Sequence, residues 1–257
     1  MYLKRYDLKG QTAVVTGGAQ GIGLSCVEAL AEAGAYVYIT DRNLAAAGKA
    51  QAAMAGKGFE TAIVELNVVD SAQVESCAAQ IMRERGRTDI LVCNAGIARS
   101  EIPAETMTDE AWLEVLDVNL NGLFWCCRAF GKPMLAARRG AIVNIGSMSG
   151  LIVNKPQEQA NYNASKAGVH HLTRSLAAEW AARCVRVNAV APTYVETPLT
   201  LEAKGRSEVF KAWMDGTPMG RMGRPDEVAG VVLFLASEAS SLMTGSIVLA
   251  DAGYSAW

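Results

Sequence analysis

The sequence has little of what marks membrane, secreted or nucleic-acid-binding proteins. No stretch of 18 or more apolar residues suggests a membrane span, and the first ten residues lack the apolar core of a signal peptide. The 24 Lys and Arg residues are scattered and balanced by 26 Asp and Glu, so no basic stripe predicts nucleic acid or an anionic membrane as partner. We therefore expect a cytoplasmic protein that acts on a small molecule.

The sequence also lacks cysteine patterns that indicate disulfides or metal binding. Its six cysteines lie inside core-like segments and show no metal-ligand spacing. They are Cys26, Cys77, Cys93, Cys126, Cys127 and Cys184. We expect reduced, partly buried thiols, as is usual in the cytosol, and no metal site. Whether a metal ion binds at the carboxyl terminus stays open.

What the sequence does contain is a regular alternation of strand and helix patterns. Short apolar runs rich in Val and Ile precede longer segments with helical periodicity. The predicted strands are 12–16, 36–40, 61–66, 89–93, 141–145, 185–191 and 246–250. This alternation predicts an α/β fold of the Rossmann type, with a doubly wound parallel sheet of seven strands and helices on both faces. No linker or repeat interrupts it, so a single domain over residues 1–257 is expected.

Helix boundaries follow from capping residues and periodicity. Ser71 is the predicted N-cap of a helix that runs to about Arg85. One long helix is predicted from Thr108 to Ala137, and another over residues 159–181. Pro225 stands in the first turn of a helix near the carboxyl terminus.

The first strand runs directly into a glycine-rich turn, TGGAQGIG (residues 16–23), and then into a helix. Glycines let the backbone approach a pyrophosphate closely, and the helix N-terminus supplies N–H donors and the positive end of a dipole. The spacing Gly17-x-x-x-Gly21-x-Gly23 differs from the commoner G-x-G-x-x-G. Its place at the start of the α/β pattern favours a dinucleotide site over an ordinary turn.

Asp41, at the end of the second strand, is a candidate for binding the adenosine ribose. It follows Gly17 at close to the expected spacing of about 20 residues. A carboxylate there accepts hydrogen bonds from both ribose hydroxyls and repels a 2′-phosphate, which favours NAD over NADP. Gln20, where a basic residue would favour a phosphate, indicates the same cofactor. Arg42 leaves NADP open, because a guanidinium binds phosphate well.

Tyr162 and Lys166 stand four residues apart in a predicted helix, among small neighbours. That spacing places both side chains on one helix face. An ammonium nearby lowers the pKa of a phenol, which is normally about 10, so the tyrosine would serve as a general base. Ser147, in GSMSG after the fifth strand, is placed to hold the substrate oxygen. An exposed polar pair would show the same Tyr-x-x-x-Lys spacing, so the motif needs its context.

The motifs TGGAQGIG, CNAG (93–96), Ser147 and YNASK (162–166), in this order, resemble the short-chain dehydrogenase/reductase family over essentially the whole chain. The resemblance implies a catalytic tetrad of Asn119, Ser147, Tyr162 and Lys166. In it Asn119 holds a water beside the lysine, Ser147 binds the reacting oxygen, and Tyr162 transfers the proton. Lys166 lowers the pKa of the tyrosine and binds the nicotinamide ribose.

The resemblance also implies which residues bind NAD. They are Gly17, Gln20, Gly21, Ile22, Gly23, Asp41, Asn67, Val68, Asn94, Ala95, Gly96, Tyr162, Lys166, Pro192, Val195 and Thr197. Four residues depart from the usual family pattern. Cys93 replaces the first Asn of Asn-Asn-Ala-Gly, and Asn67 stands where an Asp commonly contacts adenine. Thr193 replaces the Gly after Pro192, and Ala252 replaces a Gly of a common Asp-Gly-Gly near the carboxyl terminus.

Within the family, the segments GSMSGLIVNKPQ, HHLTRSLAAEWA and VRVNAVAPTYVETPLT are similar to those of bacterial polyol dehydrogenases of the galactitol type. This implies reversible oxidation of a secondary hydroxyl of a sugar alcohol or diol to a ketone. Ser147, Ser149, Asn154 and Tyr162, with Gln159, are the candidate substrate-binding residues, because a polyhydroxylated chain needs neutral hydrogen-bonding partners. Ordinary loop polarity accounts for Asn154 and Gln159 equally well.

Two other functions stay open. An NADPH-dependent reductase of 3-oxoacyl thioesters or other carbonyls is one, although Asp41 argues against it, and a dinucleotide sensor without activity is the other. The family resemblance further implies a homotetramer. Helices at 109–137 and 161–182, and the apolar end around Tyr254 and Trp257, would form its contacts.

Overall fold

Seven parallel strands form the centre of the molecule. The computed structural model describes residues 1–201 and 207–256. The strand order is β3-β2-β1-β4-β5-β6-β7, and every neighbouring pair is parallel. The strands are β1 (Thr12–Thr16), β2 (Tyr36–Asp41), β3 (Thr61–Glu65), β4 (Ile90–Cys93), β5 (Gly140–Ile145), β6 (Val185–Pro192) and β7 (Ile247–Ala250). The predicted fold class and strand number are confirmed.

Helices cover both faces of this sheet. They are α1 (Gly21–Glu32), α2 (Leu44–Gly56), α3 (Ser71–Arg85), α4 (Asp109–Leu116), α5 (Gly122–Ala137), α6 (Ala160–Trp180), α7 (Pro198–Leu201), α8 (Ser207–Asp215) and α9 (Pro225–Ala236). Side chains of α1, α2 and α9 share one hydrophobic cluster, and those of α3, α5 and α6 share a second. In β1, Val15 belongs to the first cluster and Val14 to the second, because successive strand residues point to opposite faces.

Two of the predicted boundaries were wrong. Asp70, not Ser71, is the N-cap of α3, and its carboxylate accepts hydrogen bonds from the N–H groups of Ala72 and Gln73. The predicted long helix is divided into α4 and α5 by a π-helical turn at Asp117–Asn121. Such turns add one residue to the helical repeat and occur often at functional sites. The periodicity of apolar residues continues through the turn, which explains why the sequence predicts one helix.

The strand order places a crevice at the centre of the sheet. The chain winds from β1 to β2 and β3 on one side, then crosses back to β4 on the other. Connections leaving the carboxyl ends of β1 and β4 therefore run in opposite directions, which opens the space where such folds bind ligands. The glycine loop follows β1 and residues 94–97 follow β4, so both lie at this crevice. In the described parts of the chain, no helix has the length and apolarity needed to cross a membrane.

Candidate functional site

A groove of about 440 Å³ lies along the carboxyl ends of the strands. Of the residues predicted from the sequence, sixteen line it, namely Gly17, Gln20, Gly21, Ile22, Asp41, Asn67, Val68, Asn94, Ala95, Gly96, Ser147, Tyr162, Lys166, Pro192, Val195 and Thr197. Four others, Gly23, Asn119, Ser149 and Asn154, lie behind this wall. The sequence thus indicates most of the lining, and the structure separates the residues that face the groove from those that support it.

The glycine loop is held in place by the end of β4. The hydroxyl of Thr16 accepts hydrogen bonds from the N–H groups of Asn94 and Ala95 at 3.0 and 3.1 Å. The side-chain amide of Asn94 donates to the carbonyls of Thr16 and Gly17 at 3.0 and 2.9 Å. Gly17 has φ +61°, and a Cβ there would lie 3.0 Å from the Cα of Ala95. The amide of Asn94 therefore binds the loop itself, although the residue also borders the groove.

Gly23 has a different role from the one expected for a pyrophosphate-lining glycine. It lies in the first turn of α1, where a Cβ would come 2.2 Å from the carbonyl oxygen of Gly17 and 2.5 Å from Nδ2 of Asn94. It is thus the point where helix and loop come closest. Gly21, with φ +54°, lines the groove at the N-terminus of α1, where free N–H groups favour an anion.

The carboxylate of Asp41 is fixed at the end of β2. Oδ2 accepts from the N–H of Ala19 at 3.3 Å and Oδ1 from the N–H of Asn43 at 3.0 Å. These bonds leave lone pairs on both oxygens for further donors. Arg42 beside it also lines the groove and is exposed. The structure therefore places the hydrogen-bonded carboxylate of Asp41 and the exposed guanidinium of Arg42 at the same end of the groove.

Beyond Asp41 the groove has an apolar wall, of which the sequence analysis named only Val68. This residue is buried against Gly122 of α5, where a Cβ would lie 2.8 Å from its Cγ2. Asn67 is exposed, with Oδ1 3.5 Å from the N–H of Val69. The wall also contains four apolar residues that were not predicted, namely Leu66, Ile97, Val118 and Ile145. In a sequence such residues are indistinguishable from core residues, so no signal identified them.

Tyr162, Ser147 and Lys166 meet at the inner end of the groove. The hydroxyl of Ser147 lies beside the phenol of Tyr162 and acts to lower its pKa. One turn further along α6, the ammonium of Lys166 donates to the carbonyl of Ile145 at 2.8 Å and lies 5.7 Å from the centre of the Tyr162 ring. Both α6 residues are on one face, as the four-residue spacing predicts. The end of β5 therefore supplies both partners of the Tyr-Lys pair.

Asn119 lies in the π turn, and its amide holds the segment after β4. Oδ1 accepts from the N–H of Ile97 at 2.8 Å, and Nδ2 donates to the carbonyl of Ile97 at 2.9 Å and to the hydroxyl of Ser165 at 3.1 Å. Gly96 separates it from the lysine, since a Cβ there would lie 3.2 Å from Oδ1 and 3.7 Å from Nζ of Lys166. The π turn thus ties β4 to α6 beside Lys166.

The acid–base properties of the pair depend on its burial. Burial raises the pKa of Tyr162, and the hydroxyl of Ser147 opposes this only in part. Burial also lowers the pKa of Lys166 to about 8. The protein groups by themselves therefore favour the uncharged forms of both side chains, because a low-dielectric site disfavours either charge. That Lys166, together with a bound oxidised nicotinamide, lowers the pKa of this phenol stays a prediction.

A titration of stability tests the buried ammonium. Between the lowered pKa of Lys166, about 8, and the ordinary value of 10.5, the unfolded chain binds a proton that the folded chain does not. The free energy of unfolding of the unliganded protein should therefore rise with pH across this window. Lys166→Met lacks the effect, so its stability relative to the natural chain should fall by about 3 kcal/mol over the window. Urea unfolding at pH 7, 9 and 10.5 measures this.

The matched control for that titration is Lys49→Met, at an exposed position on α2. Its stability difference from the natural chain should not follow the trend of Lys166→Met. If the difference in the free energy of unfolding between Lys166→Met and the natural chain stayed constant from pH 7 to 10.5, burial would not lower the pKa of Lys166.

The substrate-binding candidates are engaged with other protein groups. Ser149 donates its N–H to the hydroxyl of Ser147 at 3.1 Å, and its own hydroxyl accepts from Ser147 at 3.0 Å. Asn154 is buried, donates to the phenol oxygen of Tyr194 at 3.0 Å and accepts from Gln159 at 3.2 Å. Ser149 therefore orients Ser147 from behind. Direct contact of Asn154 with substrate stays a prediction.

An aromatic cluster that the sequence did not indicate stands beside these residues. The rings of Tyr194 and Trp213 stack with centroids 3.9 Å apart and planes 7° apart. Tyr254 contacts Tyr194 edge-on at 5.7 Å. This cluster fixes α8 to the end of β6, next to the catalytic end of the groove. Tyr254 is half-buried in this cluster, its predicted subunit contact stays a prediction, and Trp257 lies outside the described residues.

The six cysteines are free thiols, five of them buried and Cys184 exposed. Within residues 1–201 and 207–256, no group of three or more His, Cys, Asp or Glu side chains is arranged to hold a metal ion.

Comparison with known proteins gives consistent matches over the full length. The model of a family described as enoyl-(acyl carrier protein) reductase matches residues 17–255. Galactitol 2-dehydrogenase from Rhizobium johnstonii is 54% identical over 256 residues, which cover 100% of this chain and 99% of that protein. The crystal structure of gox2181 is 55% identical and superimposes with a TM-score of 0.99 over 100% of both chains.

A more distant structure carries a bound dinucleotide. Gluconate 5-dehydrogenase from Burkholderia cenocepacia, in complex with NADP and tartrate, is 34% identical, with a TM-score of 0.95 over 100% of both chains. A family model that covers nearly the whole chain, relatives of more than 50% identity, and a groove with the Ser-Tyr-Lys arrangement at its end agree. The chain therefore belongs to the short-chain dehydrogenase/reductase family.

Proposed function

We propose that this protein is an NAD-dependent dehydrogenase that oxidises a secondary hydroxyl of a sugar alcohol to a ketone. The observation that carries the proposal is the meeting of Ser147, Tyr162 and Lys166 at the inner end of a dinucleotide-sized groove. The similarity to a galactitol 2-dehydrogenase supports the choice of substrate class.

The groove fits a nicotinamide dinucleotide by its donors and its clearance. Gly17 and Gly21 line the groove without side chains, and the N-terminus of α1 faces the same place. Asp41 would hold the adenosine ribose, while Pro192, Val195 and Thr197 would hold the nicotinamide end. When bound, the cofactor supplies the acceptor for the hydride removed from the alcohol carbon.

The chain's own residues then bind the alcohol and move its proton. Ser147 is fixed by Ser149 and lines the same end of the groove as Tyr162, so both hydroxyls would meet an alcohol oxygen there. Tyr162, as the phenolate, takes the hydroxyl proton and becomes the neutral phenol. Before that step Lys166, held by the carbonyl of Ile145, stabilises the phenolate, because its ammonium is shielded from water in the same buried site.

A coenzyme and substrate panel tests this function. The purified protein is incubated with NAD and graded sets of hexitols, pentitols and short diols, and the absorbance of the reduced cofactor is followed. We expect turnover with at least one polyol, galactitol first, and none with polyols that lack the required stereocentre. Absence of turnover with every polyol, together with reduction of a 3-oxoacyl thioester, would replace the proposal.

The preference for NAD depends on Asp41. In Asp41→Ala the carboxylate no longer repels a 2′-phosphate and Arg42 stays, so the ratio of the NADP to the NAD dissociation constant should fall. Removing one like-charge repulsion is worth about 1.4–2.7 kcal/mol, which corresponds to about 10- to 100-fold. Fluorescence titration with both cofactors measures the ratio.

The neighbouring strand offers a matched control for this prediction. Glu65 pairs with Asp41 across β2 and β3, is exposed, and does not line the groove. Glu65→Ala should leave the cofactor ratio unchanged. An equal change in both variants would mean that general surface charge, and not Asp41, sets the preference.

One alternative has specific support. A 3-oxoacyl-[acyl-carrier-protein] reductase from Chlamydia muridarum is 38% identical to this chain over 248 residues, and the exposed guanidinium of Arg42 lines the groove beside Asp41. These favour an NADPH-dependent reductase of 3-oxoacyl thioesters. Tighter binding of NADPH than NADH by the natural chain, with turnover of a thioester, would decide for it.

We also propose a homotetramer. Apolar side chains are exposed on α4, where Leu113 is 52% exposed, and beside the edge strand β7, where Leu242 is 98% exposed. Exposed apolar patches of this kind mark contacts between subunits. Light scattering should give about four times the chain mass of 27.3 kDa. A mass of one chain would contradict the proposal.

A further inference from the structure

His170 lies directly beneath the serine loop. It follows Lys166 by one turn of α6 and is only 2% exposed. A Cβ at Gly146 would lie 2.4 Å from its Nε2, and a Cβ at Gly150 would lie 2.7 Å from its Cε1. The two glycines of GSMSG therefore leave the space that the imidazole ring fills.

The ring contacts the backbone of Ser147 through Nε2. The N–H of Ser147 donates to this nitrogen at 3.5 Å, a long hydrogen bond. Gly146, next to it, is held from the other side by its own N–H, which donates to the carbonyl of Val190 at 2.8 Å. The backbone that carries Ser147 is thus fixed between β6 and the imidazole.

The imidazole is a hydrogen-bond acceptor at working pH. Burial, together with the nearby charges of Lys166 and Arg174, lowers the pKa of His170 to about 4, although the backbone of Gly150 acts in the opposite direction. At neutral pH the ring is therefore uncharged and one nitrogen carries a lone pair. Accepting from Ser147 requires that this nitrogen is Nε2 and that the proton is on Nδ1.

We propose that His170 is a positioning residue, which sets the main chain of Ser147 so that the serine hydroxyl meets the substrate oxygen and Tyr162. The proposal rests on the proposed function, because it assigns His170 a role only through Ser147. Two supports act on one catalytic serine. Ser149 holds the hydroxyl at 3.0 Å, and His170 holds the backbone to which that hydroxyl is attached.

The expected loss of turnover follows from how precisely a reacting group must be positioned. A misplacement of about 1 Å at a reacting centre costs about 10²-fold in rate. A catalytic group must be held to within about 0.5 Å by the groups that support it. Loss of the His170 contact is therefore expected to lower turnover by about 10- to 100-fold, with cofactor binding unchanged.

The test compares His170→Met with His170→Gln. Both side chains have similar length, but only Gln places an acceptor oxygen near the position of Nε2. His170→Met should lose about 10- to 100-fold in kcat with polyol and NAD, and His170→Gln should recover most of it. His170→Asn keeps polarity with an amide too short to reach Ser147, so it should resemble Met. Should His170→Met fail to fold, the Gln and Asn variants decide. Equal turnover of the Gln variant and the variants without the acceptor would overturn the proposal.

A double-mutant cycle with Ser147→Ala separates this role from a general packing effect. If His170 acts only through the serine, His170→Met should cause no further loss of kcat in the Ser147→Ala background. Additive losses would overturn the proposal. Turnover is normalised to sites counted by NAD titration, so unfolded protein does not contribute. A Ser147→Ala variant with full activity would instead refute the proposed function.

Discussion

Replacing Tyr162 by Phe is expected to lower polyol turnover by at least about 10²–10⁴-fold, the usual contribution of general acid–base catalysis. The phenol lies beside Ser147 and on the same helix face as Lys166. Phe fills the same volume without the hydroxyl, so the proton of the alcohol has no acceptor. Burial raises the pKa of this tyrosine in the chain alone. The surrounding positive charge must therefore offset burial, which makes the loss sensitive to pH.

The measurement is kcat at several pH values, with NAD binding followed separately. Tyr38→Phe is the matched control, since this tyrosine is also buried but donates to Glu84 at 2.7 Å, outside the groove. It should keep its turnover and lose about 1 kcal/mol of stability. Near-full activity of Tyr162→Phe would remove this residue from the mechanism.

Gly23→Ala is expected to weaken NAD binding by up to about 100-fold, although Gly23 does not line the groove. Its Cβ would lie 2.2 Å from the carbonyl oxygen of Gly17 and 2.5 Å from Nδ2 of Asn94, so helix and loop must separate. The carbonyl of Gly17 and the amide of Asn94 are bonded to each other, and this hydrogen bond joins the glycine loop to the end of β4. Overpacking of this kind costs about 1–3 kcal/mol of free energy. If the glycine loop moves away to relieve this strain, the loop must be moved back for NAD to bind, and the affinity for NAD falls by up to about 100-fold.

Two titrations check this prediction, one of NAD by fluorescence and one of stability in urea. The control is Gly48→Ala in α2, where an added Cβ meets no atom within 4 Å. It should raise the free energy of unfolding by about 0.5–1 kcal/mol, because Ala favours a helix over Gly. Natural affinity for NAD in Gly23→Ala would show that the loop adapts freely.

The elements and the central motifs follow from the sequence because they depend on local physics. Runs of Val and Ile such as residues 12–16 form strands buried on both faces, and the seven strands form where predicted. The i, i+4 spacing fixes Tyr162 and Lys166 on one face of α6 whatever surrounds them. The glycine loop likewise precedes α1 at the crevice.

What the sequence left undetermined are the functions of single polar and small side chains. In the sequence Asn154 is a candidate substrate ligand, but in the structure its amide donates a hydrogen bond to the phenol oxygen of Tyr194, forty residues away in the chain. Gly23 reads as a pyrophosphate glycine but separates α1 from Gly17. In the sequence His170 stands only as part of the segment HHLTRSLAAEWA, with no role of its own. Its role follows from the packing of Gly146 and Gly150 against its ring.

The sequence by itself therefore determined the α/β order, the glycine loop, the acid at the end of β2 and the Tyr-Lys pair. Each of these depends on residues close together in the chain. Only the tertiary structure decided the π turn at Asn119, the internal engagement of Asn154, the aromatic cluster around Tyr194 and the support of Ser147 by His170. The orientation of such a side chain depends on partners that the fold brings from distant segments, and one sequence does not say which partners these will be.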